Sequence, residues 1–391
     1  MYFCDHNATA PLRPESREAV IRSLSIGGNP SSVHAAGRAA RAVTEDAREW
    51  VARLAGANAD DVIFTSGATE SNALALNGAV EGAAVTGDIV SGKGPVRITR
   101  LFVSAIEHSS VLKTAQHLAD RSPGLRLDLI PVTADGAVDT EALRVMLREG
   151  KGRTLIAVMA ANNETGVIQP LGEISRLARE ASALLLVDAV TAAGKMDLDF
   201  SLCDYMTLSA HKLGGPQGSG ALIVREGAPF AAQILGGGQQ KGLRAGTENL
   251  SGIAGFGAAA KAVLNDGEER ARIASIRDGF EKSLKAAIPG AVVFGEGSQR
   301  LSNTTNAAIP GLSGENIVIA LDLDGVLVSS GSSCSSGKIT PSHVLSAMGL
   351  DENLAGASLR VSFGWNSSKE DADAVIAALV RLSSRVKMRA A

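Results

Sequence analysis

The segments 100–106 (RLFVSAI), 154–161 (TLIAVMAA), 183–190 (ALLLVDAV) and 220–225 (GALIVR) run apolar almost from end to end. A strand of that kind must be covered on both faces, and the stretches between, such as LGEISRLAREASA, have helical periodicity. This alternation constrains the chain more than any other feature. It predicts an α/β fold with a mostly parallel central sheet and helices on both sides. Further strands are expected at 61–67, 125–132 and 204–210, with a long amphipathic helix over 32–54.

The pattern changes near Gly252. A long helical stretch follows with no strand before AVVFGEG, then come the short strands LSNTTNAAI, VLVSSG and SLRVSF, and a closing helix over DADAVIAALVRLSSRVKMR. The expected division is a large α/β domain over 16–252 and a smaller α+β domain made of 1–15 and 253–391, a reasonable partition for 391 residues. The segment 85–97 (VTGDIVSGKGPVR) reads as a flexible insertion.

Some function classes are disfavoured at once. A net charge of -3 gives no electrostatic case for nucleic acid or an anionic membrane, and 3% aromatic residues leave little for base stacking. No apolar run reaches the length of about 18 residues that suggests a membrane span, and the start MYFCDHNATAPL lacks signal-peptide order, so a cytoplasmic location is expected. Cys4, Cys203 and Cys334 form no CxxC pair and no zinc-type cluster, so neither a disulfide scaffold nor a metal site is expected.

Three motifs carry chemistry. In SAHKLGGPQGSG (209–220), a lysine follows a strand amid small residues; burial lowers a lysine's pKa and makes it a nucleophile able to form a Schiff base. In LLLVDAV, Asp188 ends an apolar strand, where α/β proteins place ligands and where a carboxylate can pair with a protonated pyridine nitrogen. In FTSGATESN (64–72), a strand, a glycine and a helix start suit a phosphate. Taken singly, each has an ordinary reading: a solvated loop lysine, a helix cap or metal-binding aspartate, a plain capped helix. A Rossmann dinucleotide site fails for want of a strand followed by GxGxxG.

The order of these motifs, phosphate loop, then Asp, then Lys, is that of aspartate-aminotransferase-fold enzymes. With YFCDHNATAPL, NPSSVHAAGRAAR, IEHSSVL, NNETGVIQP, GGGQQKGLRAGTEN, SSGSSCSSG and LRVSFG, the chain resembles the NifS/IscS-like cysteine desulfurases of the class V aminotransferase family over nearly its whole length. The resemblance implies fold type I of the pyridoxal 5'-phosphate (PLP)-dependent transferases. Lys212 would hold the cofactor covalently, Asp188 would bind its ring nitrogen, and His108 would stack on the ring and move protons. Thr69, Ser209 and His211 would hold the phosphate. Thr247 would reach the phosphate of a second subunit, which implies a homodimer. Asn163 would contact the cofactor's phenolic oxygen and the substrate, Arg360 the substrate carboxylate, and Ala68 and Asn7 would line the pocket.

Cys334 lies in a serine- and glycine-rich run expected to form a mobile, exposed loop, whereas Cys203 and Cys4 fit the buried structural role. The implied reaction converts L-cysteine to L-alanine and leaves a persulfide on Cys334 for a sulfur-acceptor protein such as an iron–sulfur scaffold. One departure stands out: three positions after the Asp, where the family has glutamine, this chain has Thr191, a shorter donor. Ala10 and the pair Asp5–His6 are smaller departures. Rival readings are a class V aminotransferase, a selenocysteine lyase, and a low-activity paralogue with a partner-binding role.

Overall fold

The computed structural model describes residues 1–85, 97–149, 152–330, 334–335, 338–339 and 342–390. Of the expected insertion over 85–97, residues 86–96 lie outside them. After a short strand β1 (Tyr2–Phe3) come β2 (Val62–Thr65), β3 (Ile98–Ser104), β4 (Arg126–Ile130), β5 (Arg153–Met159), β6 (Leu184–Asp188), β7 (Tyr205–Ser209) and β8 (Gly220–Val224). Strands β2 to β8 form one sheet in the order β2-β8-β7-β6-β5-β3-β4. From β7 to β4 all pairs are parallel, and β8 runs antiparallel to both its neighbours.

The uniform apolarity of the central strands has the expected cause. Ile156, Val158, Leu185 and Val187 face one core, shared with Val51 of the helix Ala35–Ala55 and Phe256 of the helix Leu250–Asn265. Their neighbours Leu155, Ala157, Leu184 and Leu186 face the other, with Leu74 and Leu76 of the helix Ala68–Val85 and Val111 of the helix Ser109–Arg121. At about 1.5–3 kcal/mol for each fully buried large aliphatic side chain, these two layers hold the strand ends in fixed positions.

The remaining strands are β9 (Val292–Val293), β10 (Thr304–Ala308), β11 (Val326–Leu327), β12 (Ser329–Ser330), β13 (Cys334–Ser335), β14 (Lys338–Ile339) and β15 (Ser358–Ser362). A second, antiparallel sheet has the order β12-β15-β10-β9, and β1 lies parallel to β11. The opening residues stay with this sheet: Asp5 bridges to Ser362, and Cys4 packs with Ile317, Leu359 and Phe363.

The long helical stretch after Gly252 is two helices, Leu250–Asn265 and Glu269–Ala287. The break has a local reason: Asp266 Oδ1 accepts the backbone N–H groups of Glu268 (3.2 Å) and Glu269 (3.0 Å), an alternative to continuing the helix. The first of the two buries Ile253, Phe256, Ala260 and Val263 in the core of the main sheet.

Candidate active site

A cavity of about 690 Å³ lies at the carboxyl ends of the parallel strands, the position α/β sheets favour for ligands. Most of the expected site residues meet there. Ala68 and Thr69 follow β2, His108 follows β3, and Asn163 follows β5. Asp188 ends β6 with Thr191 just beyond, while Ser209 ends β7 and leads into the turn that carries His211 and Lys212. Arg360 of β15 and Asn7, in the turn after β1 and bonded to Ser362 of β15, close the cavity from the other side. Thr247 is exposed and outside this lining. Backbone pairing joins Cys334 to Ile339; the Cys334 side chain, and with it the expected mobile loop, lies outside the described residues.

Glycine lets the phosphate-type loop approach. Gly67 has φ +151°, and a Cβ on Gly220 of β8 would stand 2.6 Å from the Gly67 Cα. In the pair Asn162–Asn163, the first builds the turn and the second faces the cavity: Asn162 Oδ1 accepts the N–H groups of Glu164 (2.9 Å) and Thr165 (3.0 Å).

Lys212 donates to the carbonyl oxygens of Asn7 and, at 3.0 Å, Ala8. Burial, aided by the Arg360 charge and opposed by Asp5 and Asp188, lowers its pKa to about 8. Both Asp188 oxygens accept: Oδ1 from the Val190 N–H (3.0 Å) and Oδ2 from the Asn72 amide (2.9 Å). No helix starts at Asp188, so the helix-cap reading does not hold: its Oδ1 closes a local turn onto the residue two positions on. His108 caps the helix Ser109–Arg121, its Nδ1 accepting the Ser110 N–H at 3.1 Å. Its pKa lies below the usual imidazole value through desolvation, with the Lys212 and His343 charges adding to the shift and Asp188 opposing it. Burial, Lys212 and Lys195 lower His211 to about 4, leaving it neutral at pH 7.

Arg360 is held at two corners. One terminal nitrogen donates to Asp5 (2.8 Å) and the other to the Asn163 carbonyl (3.2 Å), while its Nε is buried without a partner. The Thr69, Thr191 and Ser209 hydroxyls and the Asn163 side-chain amide line the cavity with no hydrogen bond to any described residue. A set of uncommitted polar groups, Thr191 and Ser209 buried, Asn163 half-buried and Thr69 exposed at the cavity mouth, beside a lowered-pKa amine and a carboxylate has the chemistry that a phosphorylated pyridine aldehyde requires.

The structure also brings in residues that the sequence reading gave no role. Asp5 pairs with Arg360, and Asn72 binds Asp188. Glu107 is buried under the His108 segment with Oε2 unpartnered; desolvation and the Asp188 charge hold its carboxyl well above the usual range. His343 has its Nε2 2.9 Å from the Glu107 carbonyl. Helical spacing puts Asn72 one turn after Thr69, but its partners Ser110 and Asp188 stand 38 and 116 residues away.

A family model described as aminotransferase class-V matches residues 2–375. The chain belongs to the class-V aminotransferase family. This class-V chain is 39% identical to the cysteine desulfurase IscS of Dictyoglomus turgidum, over 98% of its own length and 95% of that protein. It is 40% identical to a cysteine desulfurase of Cereibacter sphaeroides, over 94% and 92% of the two chains. Its structure matches that of a NifS-like protein from Rickettsia africae with a TM-score of 0.86 at 32% identity, covering 98% and 99%. The class-V fold is thus type I, and the family is one of PLP enzymes.

Proposed function

We propose that this protein is a cysteine desulfurase, converting L-cysteine to L-alanine and leaving the sulfur as a persulfide on Cys334. The observation that carries the reading is the Lys212 amine, lowered to about 8, in one cavity with Asp188, His108 and the uncommitted donors. Relatives that are cysteine desulfurases over almost the whole chain support the substrate.

Lys212 would hold PLP through its amine, with Asp188 at the ring nitrogen, His108 against the ring and Asn163 near the phenolic oxygen. Thr69, Ser209 and His211 would take the phosphate, Ala68 and Asn7 would line the pocket, and Thr191 would supply a short hydroxyl where a longer amide is usual. Bound PLP supplies an electron sink that acidifies the substrate's Cα–H and weakens its hold on sulfur. Around it, Lys212 and His108 hold and move protons, and Arg360 orients the substrate carboxylate. The Cys334 thiolate attacks the substrate sulfur, the C–S bond breaks, and alanine carries the proton away.

We further infer a homodimer, with Thr247 serving a second subunit's cavity. Its exposure outside its own cavity supports that role. A sulfur-acceptor protein such as an iron–sulfur scaffold would take the persulfide sulfur in the cytoplasm; no described helix is long and apolar enough to cross a membrane. For the domain division of 1–15 and 253–391 against 16–252, we place the second boundary at the break after Asn265, because the preceding helix packs on the main sheet.

The test is incubation of the PLP-loaded protein with L-cysteine and a reductant. Alanine and sulfide should appear in equal amounts; a keto acid in place of alanine, or turnover of selenocysteine alone, would overturn the reading. A second expected result concerns Arg360. Lysine there keeps the charge and loses the planar fork. Arg360→Lys should raise KM for cysteine by about 10- to 100-fold with a smaller change in kcat, the loss of ~1.5–3 kcal/mol of charged hydrogen bonding. Steady-state kinetics checks it, and an unchanged KM would remove Arg360 from substrate binding.

A further inference from the structure

We propose that Asn72 is the positioning residue of this site: its single side-chain amide orients the Asp188 carboxylate and, through Ser110, the His108 imidazole. The inference rests on the PLP reading above, since those two groups are the ones assigned to the cofactor ring.

Asn72 is fully buried in the second turn of the helix Ala68–Val85. Its side chain makes three hydrogen bonds. Its Nδ2 donates to Asp188 Oδ2 at 2.9 Å and to Ser110 Oγ at 3.0 Å. Its Oδ1 accepts the Thr207 hydroxyl at 2.8 Å. Thr207 lies on β7 directly beside Asp188 of β6, so the sheet register fixes both the carboxylate and the group that orients the amide. Turned over, the amide would set its oxygen against the Asp188 carboxylate and lose both donor bonds. One orientation is therefore enforced.

The direction of hydrogen bonding then follows to His108. Ser110 Oγ accepts from Asn72 and lies 2.8 Å from His108 Nδ1; because the Ser110 backbone N–H makes that nitrogen an acceptor, the hydroxyl proton points to it. The Ser110 backbone N–H also donates to Nδ1. Two donors on Nδ1 place the ring proton on Nε2. Charged and titratable groups around the pair are Lys212, Asp188 and His343 for His108, and Glu107 and Lys212 for Asp188. None of them supplies the second donor to Asp188 or the acceptor-side lock on Nδ1; Asn72 and Ser110 do.

The two arms can be cut separately in the PLP-loaded protein. Asn72→Ala removes both, Ser110→Ala only the histidine arm, and Thr207→Val only the hydroxyl that orients the amide. The measurements are the PLP dissociation constant, the bound cofactor's absorbance against pH, and the ¹⁵N shifts of His108, none of which depends on turnover. Asn72→Ala should weaken PLP binding by about 10- to 100-fold, as for loss of a hydrogen bond to a charged group, and shift the absorbance titration. Ser110→Ala should leave PLP affinity within about twofold and keep the Nε2–H tautomer through the Ser110 backbone N–H, while the lost hydroxyl donor moves the His108 Nδ1 ¹⁵N shift. Thr207→Val should fall between wild type and Asn72→Ala, and it serves if Asn72→Ala does not fold. Wild-type affinity, titration and ¹⁵N shifts in a folded Asn72→Ala, or in Thr207→Val where only that variant folds, would overturn the proposal. A wild-type protein that takes up no PLP would instead sink the functional reading, and this inference with it.

Discussion

Cys334→Ala is expected to abolish sulfur release from L-cysteine, by more than about 10³-fold, while leaving the absorbance of bound PLP unchanged. The reason lies as much in the other two thiols as in Cys334. The thiolate is the nucleophile, so a substitute cysteine must ionise near neutral pH and be reachable. Cys4 is fully buried, and desolvation together with Asp371 and Asp5 pushes its pKa up to about 12. Cys203 is also buried, and desolvation with Asp204 and Asp199 raises it well above the ordinary value. Neither can stand in. Sulfide and alanine measured side by side, with Cys4→Ser and Cys203→Ser as controls, check this. Retention of more than about a tenth of wild-type turnover in Cys334→Ala would remove it from the chemistry.

The second large effect belongs to Lys212. In Lys212→Ala, borohydride treatment should no longer fix PLP to the protein, and turnover should fall by about 10³-fold or more. The pH dependence of attachment in wild type follows from the amine. Only the neutral form attacks an aldehyde, and the neutral fraction rises with pH up to the pKa and levels off above it. With the pKa lowered to about 8 by burial and Arg360, about one molecule in ten is reactive at pH 7, against fewer than about one in 10³ for an ordinary lysine. The attachment rate should therefore climb about tenfold per unit below pH 8 and reach a plateau above it. Lys195 is the natural control. Its amine, lowered to about 7 by burial and by the Lys212 and Arg13 charges, donates to the Thr191 carbonyl at 2.9 Å. Borohydride-stable labelling that survives Lys212→Ala and vanishes on Lys195→Ala would transfer the attachment site.

Much of the fold was legible because its causes are local. Strands buried on both faces must be apolar throughout, and β5 and β6 divide successive residues between two cores. The helix over 32–54 appears at Ala35–Ala55, ending in Gly56 at φ +66°. Less visible was the break at Asp266, since a carboxylate folded back onto two backbone N–H groups looks, in sequence, like any acidic residue on a helix surface. Thr191 stands out by comparison with a family pattern, yet its structural place is ordinary: it lines the cavity with a hydroxyl that bonds no described residue.

By itself the sequence determined the sheet type and the order in which the cofactor-type residues arrive, because strand burial and strand ends are written in neighbouring residues. Only the tertiary structure decided how those residues are aimed and charged. The partners of Asn72 lie 38, 116 and 135 residues away, and Arg360 meets an aspartate 355 residues distant. Hydrogen-bond direction and desolvation depend on what surrounds a group in space, and chain neighbours do not encode that.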